Sequence, residues 1–110
     1  MTCYIDVMSP DLSPAREYKR RVDSAFNGRV AKMVLFGSRA RGEAYEESDW
    51  DIAVFLTDEP TMEDRHRLTD LGSDVLMDTG QVIQSVALPS RREAEDSYLM
   101  RAIRSEGITL

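Results

Sequence analysis

Apolar side chains recur along the chain at spacings that predict alternating helices and strands. In residues 13–26 they lie three or four positions apart, which is typical of a helix with one buried face. Ser13 followed by Pro14 predicts the N-cap and the first helical residue, and Asn27 with Gly28 predicts the end of the helix. The first predicted element is therefore a helix.

Two further helices are predicted downstream. In residues 60–79 the pattern starts with Thr61 and Asp64, which have the spacing of a capping box, and it stops at Gly80. Residues 91–105 also show helical spacing. Apolar residues mark the two helical faces: Leu68, Leu71, Val75 and Leu76 in the first helix, and Ala94, Tyr98 and Ile103 in the second.

Short apolar runs between the helices predict strands. Val30–Phe36 and residues 52–56 are rich in β-branched and aromatic side chains, and residues 82–88 form a third run that ends before Pro89. The tail at residues 108–110 can add an edge strand. This order of elements predicts the α/β (α+β) class, with a small mixed sheet on one side and helices on the other.

Length limits the architecture. The chain has 110 residues, of which 42% are apolar. A chain of this size buries roughly two thirds of the surface that it exposes when unfolded, which is enough for one hydrophobic core. We therefore expect residues 1–110 to form a single domain, and a deep cleft would need a second chain, identical or different.

The sequence shows no sign of membrane insertion or export. No run of about 18 apolar residues is present, and the first ten residues lack the basic start and apolar stretch of a secretory signal. Cys3 is the sole cysteine, which excludes an internal disulfide framework and fits a reducing compartment. We expect a cytoplasmic protein that does not span a membrane.

Charge is distributed unevenly. The formal net charge of −6 argues against direct DNA binding, because binding phosphates by electrostatics needs a basic face. Residues 29–42 carry four bases and no acid, whereas residues 43–64 carry nine acids and no base. An acidic stretch directly after a basic one indicates a local function there.

A Gly-Ser pair at this boundary is the first candidate for chemistry. Gly37 and Ser38 follow the first predicted strand and open a short helix through Arg41. Backbone amides at such a turn can bind phosphate oxygens, because glycine allows a close approach, and the Ser38 hydroxyl can donate another hydrogen bond. Taken alone, the pair is better explained as a tight turn.

Two aspartates supply the second candidate. Ten residues separate Ser38 from Asp49, and Asp51 follows at strand spacing, so both carboxylates would project together while Trp50 points the other way. Adjacent carboxylates repel each other, and Mg²⁺ would remove that repulsion by binding them together with substrate phosphates. Taken alone, they could equally be solvent-facing edge charges. Together with the Gly-Ser turn, they favour phosphoryl or nucleotidyl transfer.

The complete pattern resembles a known family. Gly37-Ser38, ten intervening residues and Asp49-x-Asp51, between two strands, resemble the signature of the DNA polymerase beta-like nucleotidyltransferase superfamily. The run from Gly37 to Gly42, GSRARG, is most similar to the minimal nucleotidyltransferases (MNT), and the tail at residues 103–108 also resembles theirs. The resemblance implies the polymerase-beta-like fold.

The resemblance also implies an activity. Members of the family use Mg²⁺ and a nucleoside triphosphate, usually ATP, to place a nucleoside monophosphate on a hydroxyl acceptor. Many are encoded beside a helical HEPN-domain ribonuclease, and some act as its antitoxin by adenylylating it, so a HEPN-type toxin is the implied partner. The implied site consists of Asp49 and Asp51 as catalytic metal ligands, with Gly37, Ser38, Arg39 and Arg41 as nucleotide-binding residues.

One position departs from the family pattern. The family has a third carboxylate on the following strand, but residues 81–88 contain no acid. Gln84 is the predicted occupant, and its amide cannot act as a base at neutral pH; Asp78, before the strand, is a weaker candidate. Two functions therefore stay open: an adenylyltransferase with weakened activity, and an inactive antitoxin or adaptor that acts by binding its partner.

Overall fold

Four strands in the described part of the chain form one mixed sheet. They are β1, Val30–Phe36; β2, Trp50–Leu56; β3, Ile83–Pro89; and β4, Ile108–Thr109. The computed structural model describes residues 11–45 and 47–110, so Cys3 lies outside the described residues. In the order β3-β2-β1-β4, β1 is antiparallel to both neighbours and β2 is parallel to β3. The predicted mixed sheet is confirmed, although β2 starts two residues earlier than predicted.

Helices connect and cover the strands. They are α1, Ser13–Phe26; α2, Ser38–Arg41; α3, Met62–Thr79; and α4, Tyr98–Glu106, with a 3-10 helix at Ser90–Ala94. Within residues 11–45 and 47–110, no helix is both long and apolar enough to cross a bilayer. The predicted succession of β1, a short helix and β2 is confirmed.

Apolar side chains are buried on both faces of the sheet. One cluster joins α1 and α3 to the sheet and includes Tyr18, Phe26, Met33, Ile52 and Leu68. The other joins α4 to the sheet and includes Val34, Phe55, Met100 and Ile103. The prediction that all helices lie on one side is therefore wrong for α4. β2 is buried at every position except Asp51, so both of its faces need a covering layer.

Local sequence determines the helix ends at most positions. The Asp64 N–H donates to Thr61 Oγ1 at 3.0 Å, and the Asp64 carboxylate accepts the Thr61 N–H at 2.9 Å, which confirms the capping box. Asn27 adopts a left-handed φ of +50° and ends α1 as predicted. The prediction of Ser13 as N-cap is wrong: Leu12 is the N-cap and Ser13 is the first residue of α1, with its N–H donated to the Asp11 carboxylate at 2.9 Å.

The predicted single helix over residues 91–105 is wrong. The chain forms the 3-10 helix and α4 with a break between them, and Ser97 caps α4 by accepting a backbone N–H at 3.2 Å. Arg104 supports the break, because its Nη1 donates to the carbonyls of Glu93 and Glu95 at 2.9 and 3.0 Å.

Three predicted positions on the helical faces are exposed. Leu68, Val75 and Ile103 are buried as expected, but Ala94 is exposed, Leu76 is 41% exposed and Tyr98 is 90% exposed. Tyr98 is the first residue of α4, directly after the break. Its side chain therefore lies where the separate helix puts it, and not on the face that a continuous helix over residues 91–105 would bury. The prediction for Tyr98 assumed one helix over residues 91–105, but tertiary contacts interrupt that helix.

Candidate functional site

Gly37 and Asp51 meet where β1 ends beside β2. Phe36 pairs with Asp51 in the antiparallel register, which brings the Asp51 carboxylate beside the turn that follows β1. A Cβ built on Gly37 would lie 2.3 Å from Asp51 Oδ2, and Gly37 has a φ of +78°, which L side chains rarely adopt. Ser38 begins α2 at the same turn and is half-buried. The structure thus brings the predicted phosphate turn into contact with a predicted metal ligand.

Asp49 and Asp51 influence each other electrostatically. Asp49 directly precedes β2, and Asp51 is the second residue of that strand. Burial raises the pKa of the Asp51 carboxyl, and the Asp49 carboxylate raises that pKa further, while Arg41 lowers it. Trp50 is 3% exposed and packs with the α1 and α3 cluster, which leaves Asp51 on the opposite face. The repulsion between the two carboxylates is of the kind that a bound cation relieves.

Arg39 ties α2 to the loop that leads into Asp49. Its guanidinium lies 4.4 Å from the centroid of the Trp50 ring and donates to the Ser48 carbonyl from Nε at 3.2 Å and from Nη2 at 2.8 Å. Gln81 Oε1 accepts from Trp50 Nε1 at 2.9 Å and from Arg39 Nη2 at 3.4 Å. These contacts lie within the protein, and the role of Arg39 in nucleotide binding stays a prediction.

Arg41 lies between two acids beside the Gly37 turn. Its Nε donates to Glu43 at 2.8 Å, and its Nη1 donates to the two carboxylate oxygens of Glu106 at 3.1 and 3.2 Å. Glu106 also accepts the Gly37 N–H at 3.0 Å. Sequence reasoning did not single out Glu106. The available signal was its place at the end of α4, because an acid is unfavourable at the negative end of a helix dipole.

The β3 position beside the aspartates is occupied by an amide. Asp51 pairs with Gln84 in the parallel register, and Gln84 is exposed. Gln84 therefore lies beside Asp51, and its place at the family's third-carboxylate position stays a prediction. The carboxylate of Asp78 accepts from Arg21 Nη2 at 2.6 Å, in a pair between α3 and α1, so Asp78 is not the missing third carboxylate.

The described residues offer a pair of carboxylates and not a complete metal cage. Among residues 11–45 and 47–110, no three His, Cys, Asp or Glu side chains are grouped so that they could hold a metal ion. Mg²⁺ does not need such a group, because it is commonly bound by one or two carboxylates together with substrate phosphates. The turn, Arg41 and the two aspartates can therefore accept a phosphate group and its cation together.

One protein family and several known proteins are similar to this chain. The family model described as Polymerase beta, Nucleotidyltransferase matches residues 22–110. Two similar proteins of Methanocaldococcus jannaschii are named "Putative protein adenylyltransferase MJ0141" and "Putative protein adenylyltransferase MJ0604". The first is 29% identical over 58 residues, or 53% of this chain and 59% of that protein. The second is 37% identical over 71 residues, or 64% and 66%. The chain thus spans less than two thirds of either relative.

Solved structures share the fold at low sequence identity. A chain of a toxin-antitoxin complex with AMP-PNP has a TM-score of 0.62 at 18% identity, over 84% of this chain and 68% of that one. A Sulfolobus solfataricus "putative nucleotidyltransferase" has a TM-score of 0.61 at 22% identity, over 96% and 83%. A chain from the complex of tri-AMPylated Shewanella oneidensis HEPN toxin with MNT antitoxin has a TM-score of 0.55 at 16% identity, over 87% and 70%. These likenesses establish the fold alone.

Proposed function

We propose a specific reaction for this chain, which belongs to the Polymerase beta, Nucleotidyltransferase family. The chain binds ATP with Mg²⁺ and transfers AMP to a hydroxyl group of a partner protein. The contact between Gly37 and Asp51 carries this proposal, because a glycine turn of the kind that can bind phosphate and a carboxylate that could bind a cation lie side by side. Nucleotidyl transfer needs both parts within the length of one triphosphate.

Each residue of the site has a proposed role. The turn at Gly37 and Ser38 and the guanidinium of Arg41 bind and orient the triphosphate. Asp49 and Asp51 would hold Mg²⁺. Burial raises the pKa of Asp51 most and the Asp49 carboxylate raises it further, and a cation bound between the two carboxylates would relieve their repulsion. When bound, Mg²⁺ neutralises phosphate charge and favours departure of pyrophosphate.

For Arg39 we propose a supporting role. Its two hydrogen bonds to the Ser48 carbonyl hold the residue directly before Asp49. Its stacking on Trp50 holds the start of β2 on the face of the sheet opposite Asp51. A planar guanidinium can make both contacts at once, which an ammonium group cannot. Arg39 would thereby keep the aspartates at a fixed distance from the phosphate turn.

The proposed partner is a HEPN-type toxin. Support comes from the shared fold with chains of toxin-antitoxin complexes, one with AMP-PNP and one with an AMPylated toxin, and from relatives named as protein adenylyltransferases. The net charge of −6 also favours a protein acceptor over DNA. The proposal includes a hetero-oligomer in the cytoplasm, where ATP is available.

The two aspartates provide the direct test. We expect Asp49→Asn combined with Asp51→Asn to abolish Mg²⁺-dependent binding of AMP-PNP in calorimetry, because the variant lacks both negative ligands for the cation. Thermal unfolding checks that the fold is retained. Asp70→Asn with Asp74→Asn is the matched control, since it removes two charges from exposed positions of α3. If the aspartate variant binds as tightly as the parent, the proposed site is wrong.

A second function is favoured by Gln84. Because no acid lies beside Asp51 on β3, the chain could bind its partner without modifying it. Incubation with labelled ATP and the protein encoded by the neighbouring gene distinguishes the two functions. Transfer of label supports the enzyme, whereas a stable complex without label supports the binding protein.

A further inference from the structure

Glu106 connects the end of α4 to the proposed nucleotide site. Its carboxylate accepts the Gly37 N–H at 3.0 Å and the Arg41 Nη1 donor at 3.1 and 3.2 Å. Glu106 and Gly37 are 69 residues apart in the sequence. The Glu106 side chain is 22% exposed, so these bonds are partly withdrawn from water. The proposed reaction assigns no task to this residue.

We propose that Glu106 is a positioning residue of the nucleotide site. The inference rests on the proposed function, because it assumes that the turn at Gly37 and Ser38 and the Arg41 guanidinium bind the triphosphate. Glu106 fixes the backbone of Gly37 and the direction of the Arg41 guanidinium with one carboxylate. It acts through these two residues and does not itself touch the nucleotide.

The end of α4 is built to bring Glu106 to this place. A carboxylate at the C-terminal end of a helix is disfavoured by the helix dipole. The ion pair between Glu106 and Arg41 offsets this unfavourable interaction. The next residue, Gly107, lies so close to its neighbours that a Cβ would be 2.2 Å from the Ile103 carbonyl oxygen and 2.4 Å from Val34 Cγ1. Glycine at this position lets the chain pack directly onto β1, beside the Gly37 turn.

The N–H donors of Arg41 favour a positioning role for Glu106, because Glu106 does not occupy every donor that a phosphate could use. A guanidinium has five N–H donors in a fixed plane. Among the described residues, the hydrogen bonds of Arg41 come from Nε and Nη1, to Glu43 and Glu106. Nη2 makes no such bond within that part of the chain. Glu106 therefore holds one edge of the guanidinium and leaves donors for a phosphate.

Nucleotide binding by variants of Glu106 tests the proposal. We expect Glu106→Gln to raise the Kd for Mg²⁺-AMP-PNP about tenfold in calorimetry, because the amide cannot hold the guanidinium as a charged partner does. Glu106→Asp keeps the charge but shortens the side chain, and we expect a similar rise. Glu43→Gln is the matched control: it removes the other acid bound to Arg41 without touching Gly37, and its Kd should stay within about twofold.

A double-mutant cycle separates positioning from a general loss of stability. In an Arg41→Gln background, Glu106→Gln should raise the Kd by a clearly smaller factor than in the parent chain, because the part of its effect that passes through Arg41 is already lost. An equal loss in both backgrounds, tighter binding by Glu106→Gln, or unchanged binding by both Glu106 variants would each overturn the proposal. Absence of binding by the parent chain would instead refute the proposed function.

Discussion

Gly37 and Gly107 are residues whose missing side chains allow close contacts at the site. A Cβ at Gly37 would collide with the Asp51 carboxylate, and one at Gly107 would collide with Val34. Gly37 combines this collision with a positive φ of +78°. Gly80 has a nearly identical φ of +77°, but nothing lies within 4 Å of a Cβ there. The two requirements on glycine can therefore be separated experimentally.

We expect Gly37→Ala to abolish Mg²⁺-dependent binding of AMP-PNP and to lower the free energy of unfolding by about 2 kcal/mol. The added methyl group would push Asp51 away from the turn, in addition to straining the backbone. Calorimetry measures the binding, and urea unfolding measures the stability.

The control for this substitution is Gly80→Ala. It introduces the same backbone strain in open space, so we expect a cost of about 1 kcal/mol and no change in nucleotide binding. Equal binding by the Gly37 and Gly80 variants would show that the close approach of Asp51 is not part of the site.

Among the elements, α3 begins at a partly buried ion pair that also holds the start of β1. Asp64 is 4% exposed and accepts from Arg29 Nη1 and Nη2 at 2.9 and 2.8 Å, in addition to its bond with Thr61. The Arg29 guanidinium holds the pKa of the Asp64 carboxyl well below its usual value, although burial acts in the opposite direction. One carboxylate thus caps α3 and anchors the residue before β1.

This depressed pKa predicts a pH dependence of stability. The stabilisation is fully present above the pKa of unfolded aspartate, about 4, and is lost as the pH falls through the lower pKa of the folded state. We expect Asp64→Asn to lower the free energy of unfolding at pH 7 by about 2 kcal/mol and to flatten its decline below pH of about 4. Urea unfolding across this pH range provides the measurement.

Asp58→Asn is the control for Asp64. Asp58 also accepts from Arg29, but its side chain is 63% exposed, so we expect little change in stability or pH dependence. An acid dependence that persists unchanged in Asp64→Asn would contradict the assigned role of the ion pair.

Elements whose bounds depend on residues nearby in the sequence could be predicted. Val30–Phe36 was predicted with its observed bounds, because a largely apolar run stops at a glycine. The start of α3 at Thr61 and its end at Gly80 were also predicted, since both depend on residues within one turn of the helix. Local spacing carries this information without reference to the rest of the chain.

Elements that depend on distant contacts could not be predicted. The break before α4 needs Arg104 to reach the carbonyls of Glu93 and Glu95, and the packing of α4 on the second face needs both faces of β2 to be apolar. For the site, the spacing predicted the proximity of Gly37 to the aspartates. The contact with Glu106 joins parts of the chain 69 residues apart, and no local pattern reports it.

At the scale of the whole molecule, the sheet order assembles the site from three strands. β2 lies between β1 and β3, so the Gly37 turn and Gln84 flank Asp51 from opposite sides. The turn and the aspartates come from neighbouring segments, whereas Gln84 reaches them only through the parallel pairing with β3. This arrangement makes Gln84 the position at which the fold can gain or lose a third carboxylate.

We expect Gln84→Asp to raise the rate of AMP transfer to the partner protein at least about tenfold, with little change in AMP-PNP binding. The new carboxylate would lie beside Asp51 in the register of β2 and β3, where it can help to deprotonate the acceptor hydroxyl. Single-turnover transfer of label from ATP measures the rate. Gln84→Asn is the matched control, because it has the same length as aspartate but cannot act as a base. Equal rates for the two variants would show that the β3 position does not limit catalysis. A variant that binds nucleotide and partner but transfers no label would favour the binding function.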